Sequence, residues 1–171
     1  MAAMAGALAA SLGEMVAGLS SKKKSQSAFA VQLNASIEIL RQAVRKLAAA
    51  IDRDAQSYEA VMRAHKLPKE SVNDRATRDA AIQDATRHAA DVPMETALAA
   101  TEVFEQLVQL EPMVPSSMLS DVHVGRLMAT AAVRGALENV AINLESIHDS
   151  SYVSKMKSRS ADLEGRVRAP L

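Results

Sequence analysis

Asp54 stands where the pattern around it calls for an apolar side chain. Between about Ser27 and Ala64 the chain runs without Gly or Pro. Leu33, Ile37, Leu40, Val44, Leu47, Ile51, Asp54, Tyr58 and Val61 recur there at alternating intervals of four and three. That alternation is the seam of a packed helix, and every member except Asp54 is apolar or aromatic. A carboxylate in such a seam has to be hydrogen-bonded, paired or protonated, and burial would raise its pKa toward the range useful for general acid–base work. The same register is met equally by a bundle that opens locally, or by an ion pair with an arginine of a neighbouring helix. Asp52 falls on a different face, toward solvent, and is the second carboxylate to consider.

A second constellation lies late in the chain. At 100° per residue, Asp121, Gly125, Ala132, Gly135, Asn139 and Asn143 share one helix face,. Its small residues would admit a neighbouring helix or a ligand, and its amides supply both donors and acceptors. A tight helix–helix contact with the amides pairing across it accounts for the same pattern, and Ser120 or Asp121 could act only as an N-cap. Lys22, Lys23 and Lys24 form a short basic run on an expected turn, suited to solvent or to the anionic end of a ligand. His65, His88, His123 and His148 have no metal-ligand spacing, so no metal is expected. The chain has no glycine-rich phosphate loop, nucleophile elbow or Walker-type lysine,.

The elements that must position these groups are helical. The chain has 171 residues, enough for one domain over residues 1–171,. Hydrophobic residues make up 49% but aromatics only 2%. A core of Ala, Leu, Val, Ile and Met suits close-packed helices rather than a β-sandwich. The 20 basic and 20 acidic residues balance, which argues against a nucleic-acid partner, since phosphate binding needs a basic surplus. The absence of cysteine removes disulfides, thiolate metal sites and a Cys nucleophile, and fits a cytoplasmic setting,.

Five or six helical segments are expected, in an all-α helical bundle with one long central helix. The first spans about Ala2 to Leu19, with Ala5, Gly6, Ala9, Ala10, Gly13 and Ala17 offering surfaces for close approach. Its Ala/Gly content reads as a buried helix rather than a signal peptide or membrane span. The long helix ends before Pro68. Another, capped by Ser71 or Asn73, is expected to reach about Ala90, and a further one to begin at Pro93 with Asp91 as its N-cap and to end near Leu110. After a Pro-containing linker, a helix from about Ser120 to Ser146 and a shorter, fraying one from Tyr152 to Arg166 complete the chain.

Four stretches also carry a resemblance. They are Ala2-Ala-Met-Ala-Gly-Ala-Leu8 with Met15-Val-Ala17; Lys22-Lys-Lys24; Asp52-Arg-Asp-Ala-Gln-Ser-Tyr58 running to Lys66-Leu-Pro-Lys69; and Ser120-Asp-Val122 through Gly135-Ala136, Asn139-Val140 and Asn143-Leu144. In this order they resemble the cyclodeaminase/cyclohydrolase family of folate enzymes. That family comprises the C-terminal domain of formiminotransferase-cyclodeaminase and stand-alone methenyltetrahydrofolate cyclohydrolases.

The resemblance implies an all-α subunit that forms a homodimer and binds a tetrahydrofolate derivative, including polyglutamylated forms, between helices. It further implies a formiminotransferase as a partner and a place in histidine degradation. The acid/base role of the family's Asp-Ala motif lands on Asp54 or Asp52, and the seam favours Asp54 as the inward one. Asn139, Asn143 and Asp121 would orient the pterin, and Lys22, Lys23 and Lys24 would attract the glutamate tail. The family also carries a loop ending in Gly-Gly-Gly-Ser ahead of its first helix. This sequence starts immediately after that point, so a misassigned start or an N-terminally truncated product is expected. The rival reading is a catalytically inactive helical dimerisation or folate-binding protein lacking that loop.

Overall fold

The computed structural model describes residues 1–168. Five α-helices account for it: α1 (Ala2–Ser21), α2 (Ala30–His65), α3 (Val72–Leu110), α4 (Leu119–Leu144) and α5 (Ser150–Arg166). No strand occurs among the described residues. α1 to α4 pack in cyclic order as an up-and-down four-helix bundle, and α5 lies against α3 and α4,.

Small residues on α1 set the depth of the packing. A Cβ at Gly13 would come within 2.8 Å of Leu107 on α3 and 3.1 Å of Leu40 on α2. The chain therefore needs glycine there to let three helices meet. Gly6, Ala9, Ala10 and Ala17 are buried in the same contact as expected, while Ala5 is only half-buried. α1 is long and apolar enough to span a membrane by length and composition, yet this face is packed against α2, α3 and α4.

Several expected boundaries are corrected. A short 3-10 segment, Lys24–Phe29, precedes α2, which starts at Ala30 rather than Ser27. The helices expected on either side of Pro93 are one helix, so the bundle has two long members, of 36 and 39 residues, instead of one. Asp91 is therefore no N-cap. Its carboxylate accepts a 2.7 Å hydrogen bond from the Tyr152 hydroxyl of α5. Of the two candidate caps for α3, Ser71 is the one used. Its hydroxyl accepts from the Asp74 N–H and the Asp74 carboxylate accepts from the Ser71 N–H, each at 3.0 Å,. α4 begins at Leu119, leaving Asp121 inside its first turn. α5 is not frayed: Asp149 caps it through the amides of Ser151 and Tyr152, and Arg166 ties its end to Glu105.

The seam of α2 is also re-registered. Its buried column is Leu33, Ser36, Leu40, Ala43, Leu47, Ala50, Ser57 and Ala64. Ile37, Val44, Ile51 and Tyr58 lie one step around the helix, and Tyr58 is 65% exposed. The helix turns its small residues inward because the neighbouring backbones approach too closely for the larger ones.

Candidate functional site

The packing of α2 on α1 decides the environment of Asp54. A Cβ at Gly13 would meet Leu40, and one at Gly6 would meet Leu47. Each seven-residue step along α2 is thus a seven-residue step back along α1. Asp54 is exposed, which corrects the expectation of a buried carboxylate. The bundle is locally open there, and the side chain stands on the wall of a cleft.

That cleft lies between α2 and α4, with α3 as its floor. Its larger part, about 510 Å³, is lined by residues that include Asp54, Ser57, Tyr58, Ala89, Asn139, Ile142 and Asn143. A small adjoining cavity of about 40 Å³ is bordered by Met1, Ala2, Ala3, Ile51, Asp54, Pro93, Thr96, Ala136 and Asn139. Asp54 and Asn139 belong to both, facing each other from different helices. The Asp54 backbone carbonyl accepts from the buried Ser57 hydroxyl at 2.8 Å, and the Asp54 carboxylate makes no hydrogen bond or ion pair among the described residues.

Pro93 explains why Asn143 is where it is. A proline inside a helix has no N–H for the carbonyl four residues earlier, and costs about 3 kcal/mol in an unsupported helix. The carbonyl it frees belongs to Ala89, and the Asn143 amide nitrogen donates to it at 2.9 Å. The second N–H of that amide goes to the Asn139 carbonyl at 2.9 Å. Both donors of Asn143 are therefore spent inside the protein, and its Oδ1 remains the free acceptor beside the cleft among the described residues. The Asn139 side chain makes no protein hydrogen bond among those residues and offers both functions. On α3, Thr96 closes its hydroxyl on the Val92 carbonyl at 3.1 Å, so it adds no free donor.

The late-helix face divides in two. A Cβ at Gly125 would approach Leu107 and the Ala9 carbonyl, and one at Gly135 would approach Ala2. From Gly125 to Gly135 this face is thus a contact with α1, and beyond the start of α1 it opens as Asn139 and Asn143. Asp121 lies at the opposite end, near the place where Ser20 meets the Met118 sulfur at 3.6 Å. Lys22, Lys23 and Lys24 are there too, all exposed. They sit a helix length, about 30 Å, from Asp54. Within one chain the structure therefore brings together Asp54, Asn139 and Asn143, and separates them from the lysines and Asp121. Asp52 is exposed and lines neither cavity.

Tyr58, Ala89, Pro93 and Ile142 are cleft residues that the sequence reading did not assign. A proline inside an otherwise helical pattern, with an amide-bearing helix nearby, was the available signal. The far end of the bundle holds a charged cluster without a clear sequence mark. Arg126, 3% exposed, donates to Glu111 at 2.9 Å and lies 5.4 Å from the Phe104 ring centre. No group of three metal-ligating side chains forms among the described residues.

Known proteins resemble this chain in sequence and in fold. The family model described as formiminotransferase-cyclodeaminase matches residues 1–162. The methenyltetrahydrofolate cyclohydrolase of Methylorubrum extorquens is 33% identical over 168 residues, covering 96% of this chain and 77% of the relative. The formimidoyltransferase-cyclodeaminase of Gallus gallus is 34% identical over 152 residues, or 89% of this chain, which spans only 28% of that longer relative. A crystal structure of formiminotetrahydrofolate cyclodeaminase from Thermotoga maritima has a TM-score of 0.86 to this chain at 26% identity. It covers 97% of this chain and 79% of its own length is matched. The chain belongs to the formiminotransferase-cyclodeaminase family.

Proposed function

We propose that the cleft between α2 and α4 binds a reduced folate and that Asp54 serves there as general acid and base. The convergence of Asp54, Asn139 and Asn143 on one cavity carries this reading. Asn139 supplies a free amide donor and acceptor, and Asn143 a free carbonyl oxygen, which suits the alternating N–H and C=O edge of a pterin. In the cyclodeaminase reaction N10 of formiminotetrahydrofolate attacks the formimino carbon. The new N10–C bond forms, the N10 proton is removed, and the C–N bond to the formimino nitrogen breaks as that nitrogen is protonated and leaves as ammonia. In the cyclohydrolase reaction water adds to the methenyl carbon instead and loses a proton, and one of that carbon's two C–N bonds then breaks as its nitrogen takes up the hydroxyl proton, leaving a formyl group on the other nitrogen. Either needs one carboxyl group able to take and return a proton.

On this reading the protein works as a homodimer in the cytoplasm, and the name of the formimidoyltransferase-cyclodeaminase relative supports a formiminotransferase as the source of its substrate. A second reading, folate binding without turnover, is favoured by one observation: Asp54 is open to solvent, whereas acid–base chemistry profits from a dry site. The full chain should be offered formiminotetrahydrofolate and methenyltetrahydrofolate in turn. Saturable ammonia release from the first, or ring opening of the second, supports catalysis and selects the reaction. Saturable binding with neither product supports the second reading, and absence of any folate binding overturns both.

A further inference from the structure

The small cavity beside the main cleft has the size of a ligand quite unlike a folate. It measures about 40 Å³, against about 510 Å³ for the larger part, and a water molecule takes about 30 Å³ in the liquid. One water or one ammonia therefore fills it. Its inner wall is tightly packed. Ala3 of α1, Thr96 of α3 and Ala136 of α4 are 7%, 4% and 0% exposed, and Pro93 is buried with them. Asp54 and Asn139 are the residues common to both spaces, so whatever occupies the small one sits beside the ligand of the large one.

Three polar side chains border this space: Asp54 from α2, Thr96 from α3 and Asn139 from α4. A cavity holds water when two to four polar groups meet it, and these three have complementary roles. The Asp54 carboxylate accepts. The Thr96 hydroxyl gives its proton to the Val92 carbonyl at 3.1 Å, so its oxygen has only lone pairs to offer. The Asn139 amide both donates and accepts.

Either small molecule fits that set. A water that donates to Asp54 and Thr96 and accepts from Asn139 keeps one lone pair free. An ammonia that donates to Asp54, Thr96 and the Asn139 oxygen keeps its single lone pair free. In each case the free pair is the one that bonds to carbon. Thr101 supplies the contrast. Five residues further along α3, its hydroxyl donates to the Ala97 carbonyl at 2.9 Å and it is 0% exposed, yet it borders neither space.

We propose that the small cavity seats the small partner of the folate in the reaction, a water or an ammonia molecule, and that Thr96 is the positioning residue that holds it there. This rests on the folate reading above. Where water adds, the O–C bond to the methenyl carbon forms as Asp54 takes one proton of the seated water, while the other stays on Thr96. Where ammonia leaves, the C–N bond to the formimino nitrogen breaks as Asp54 returns its proton to that nitrogen. The ammonia so formed comes to rest against Thr96 and Asn139. One seat used in both directions fits the presence of both reactions among the names of the relatives.

The full chain should be compared with Thr96→Val, which removes the hydroxyl but keeps the branch, Thr96→Ser, which keeps the hydroxyl, and Thr101→Val, which makes the same change away from the cavity. Each is first shown to be helical by circular dichroism. Ring opening of methenyltetrahydrofolate and ammonia release from formiminotetrahydrofolate are then followed, with kcat separated from KM. Thr96→Val should lower kcat about fivefold to tenfold, the loss of one hydrogen bond, with KM within about twofold. Thr96→Ser should recover most of the rate, and Thr101→Val should stay within about twofold of wild type. A loss in ring opening assigns the seat to water, and a loss in ammonia release assigns it to ammonia. A Thr96→Val protein no slower than Thr101→Val overturns the proposal, as does one whose KM rises while kcat holds, since Thr96 would then bear on the folate. If wild type turns over neither folate, the reading of the reaction falls, and a crystal structure of the unaltered chain decides the seat alone. It should show one ordered water within about 3.2 Å of Asp54, Thr96 and Asn139. No ordered water there overturns the seat.

Discussion

Replacing Asn143 with Ala should destabilise the protein by way of a proline on another helix. The substitution removes the amide that donates to the Ala89 carbonyl at 2.9 Å, and Pro93 has no N–H to replace it. Ala89 is 6% exposed, so its carbonyl gains little from water. Leaving such an acceptor unsatisfied costs about 1–3 kcal/mol, and in a chain of this size each kcal/mol lowers Tm by about 2–4 °C. Pro93→Ala restores the missing donor within α3. In that background Asn143→Ala should cost only about 0.5 kcal/mol, the remainder being its bond to the Asn139 carbonyl. Urea unfolding of the four proteins, followed by far-ultraviolet circular dichroism, gives the coupling energy directly. A coupling of about 1 kcal/mol or more is expected. Equal cost of Asn143→Ala in both backgrounds would refute the idea that Asn143 compensates for the proline.

Four further outcomes follow from the packing, the caps and the buried tyrosine. Gly13→Val should destabilise by about 1–3 kcal/mol through overpacking against Leu107 and Leu40,. Gly165→Ala, where a Cβ meets nothing within 4 Å, should stabilise by about 0.4–1 kcal/mol; thermal melts check both. The Ser71 hydroxyl and amide hold the Asp74 carboxyl below its ordinary value of 3.8. This group therefore adds stability above that value and loses it as pH falls through the lowered pKa, and Asp74→Asn should remove that part of the acid dependence of the urea midpoint. Burial, then the hydrogen bond to Asp91, pushes the Tyr152 hydroxyl well above its ordinary value of 10.0. Its contribution is complete below 10.0 and fades as pH rises beyond it, so Tyr152→Phe should flatten the alkaline decline in stability.

The helical class was legible because periodicity reports burial: Leu33, Leu40 and Leu47 of the α2 seam, the small face of α1, and Gly125 to Gly135 on α4 all make real contacts. What failed depended on partners in space. Pro93 signals a break in sequence, but an amide from α4 repairs the helix. Ile37, Val44 and Ile51 look like core in a four-and-three pattern. Yet Ser36, Ala43 and Ala50 make an equally regular column, and the close approach of α1 selects the smaller set. Asp54 reads as buried when its own helix is considered alone. The structure instead puts it, exposed, on the wall of a cleft shared with α3 and α4. The shared face of Asn139 and Asn143 was legible, but the difference between them required seeing the Ala89 carbonyl. The lysines were grouped with Asp54 by resemblance, and one chain's topology keeps them apart.

The central claim is that Asp54 moves protons for a folate held between α2 and α4. The most direct measurement compares wild type with Asp54→Asn for both turnover and folate binding at equilibrium. General acid–base catalysis contributes about 10²–10⁴ in rate. The variant should thus bind the folate with a Kd within about threefold of wild type, a difference under about 1 kcal/mol, and retain its helical spectrum, while kcat falls by at least about 10². Turnover by Asp54→Asn at the wild-type rate would contradict the account.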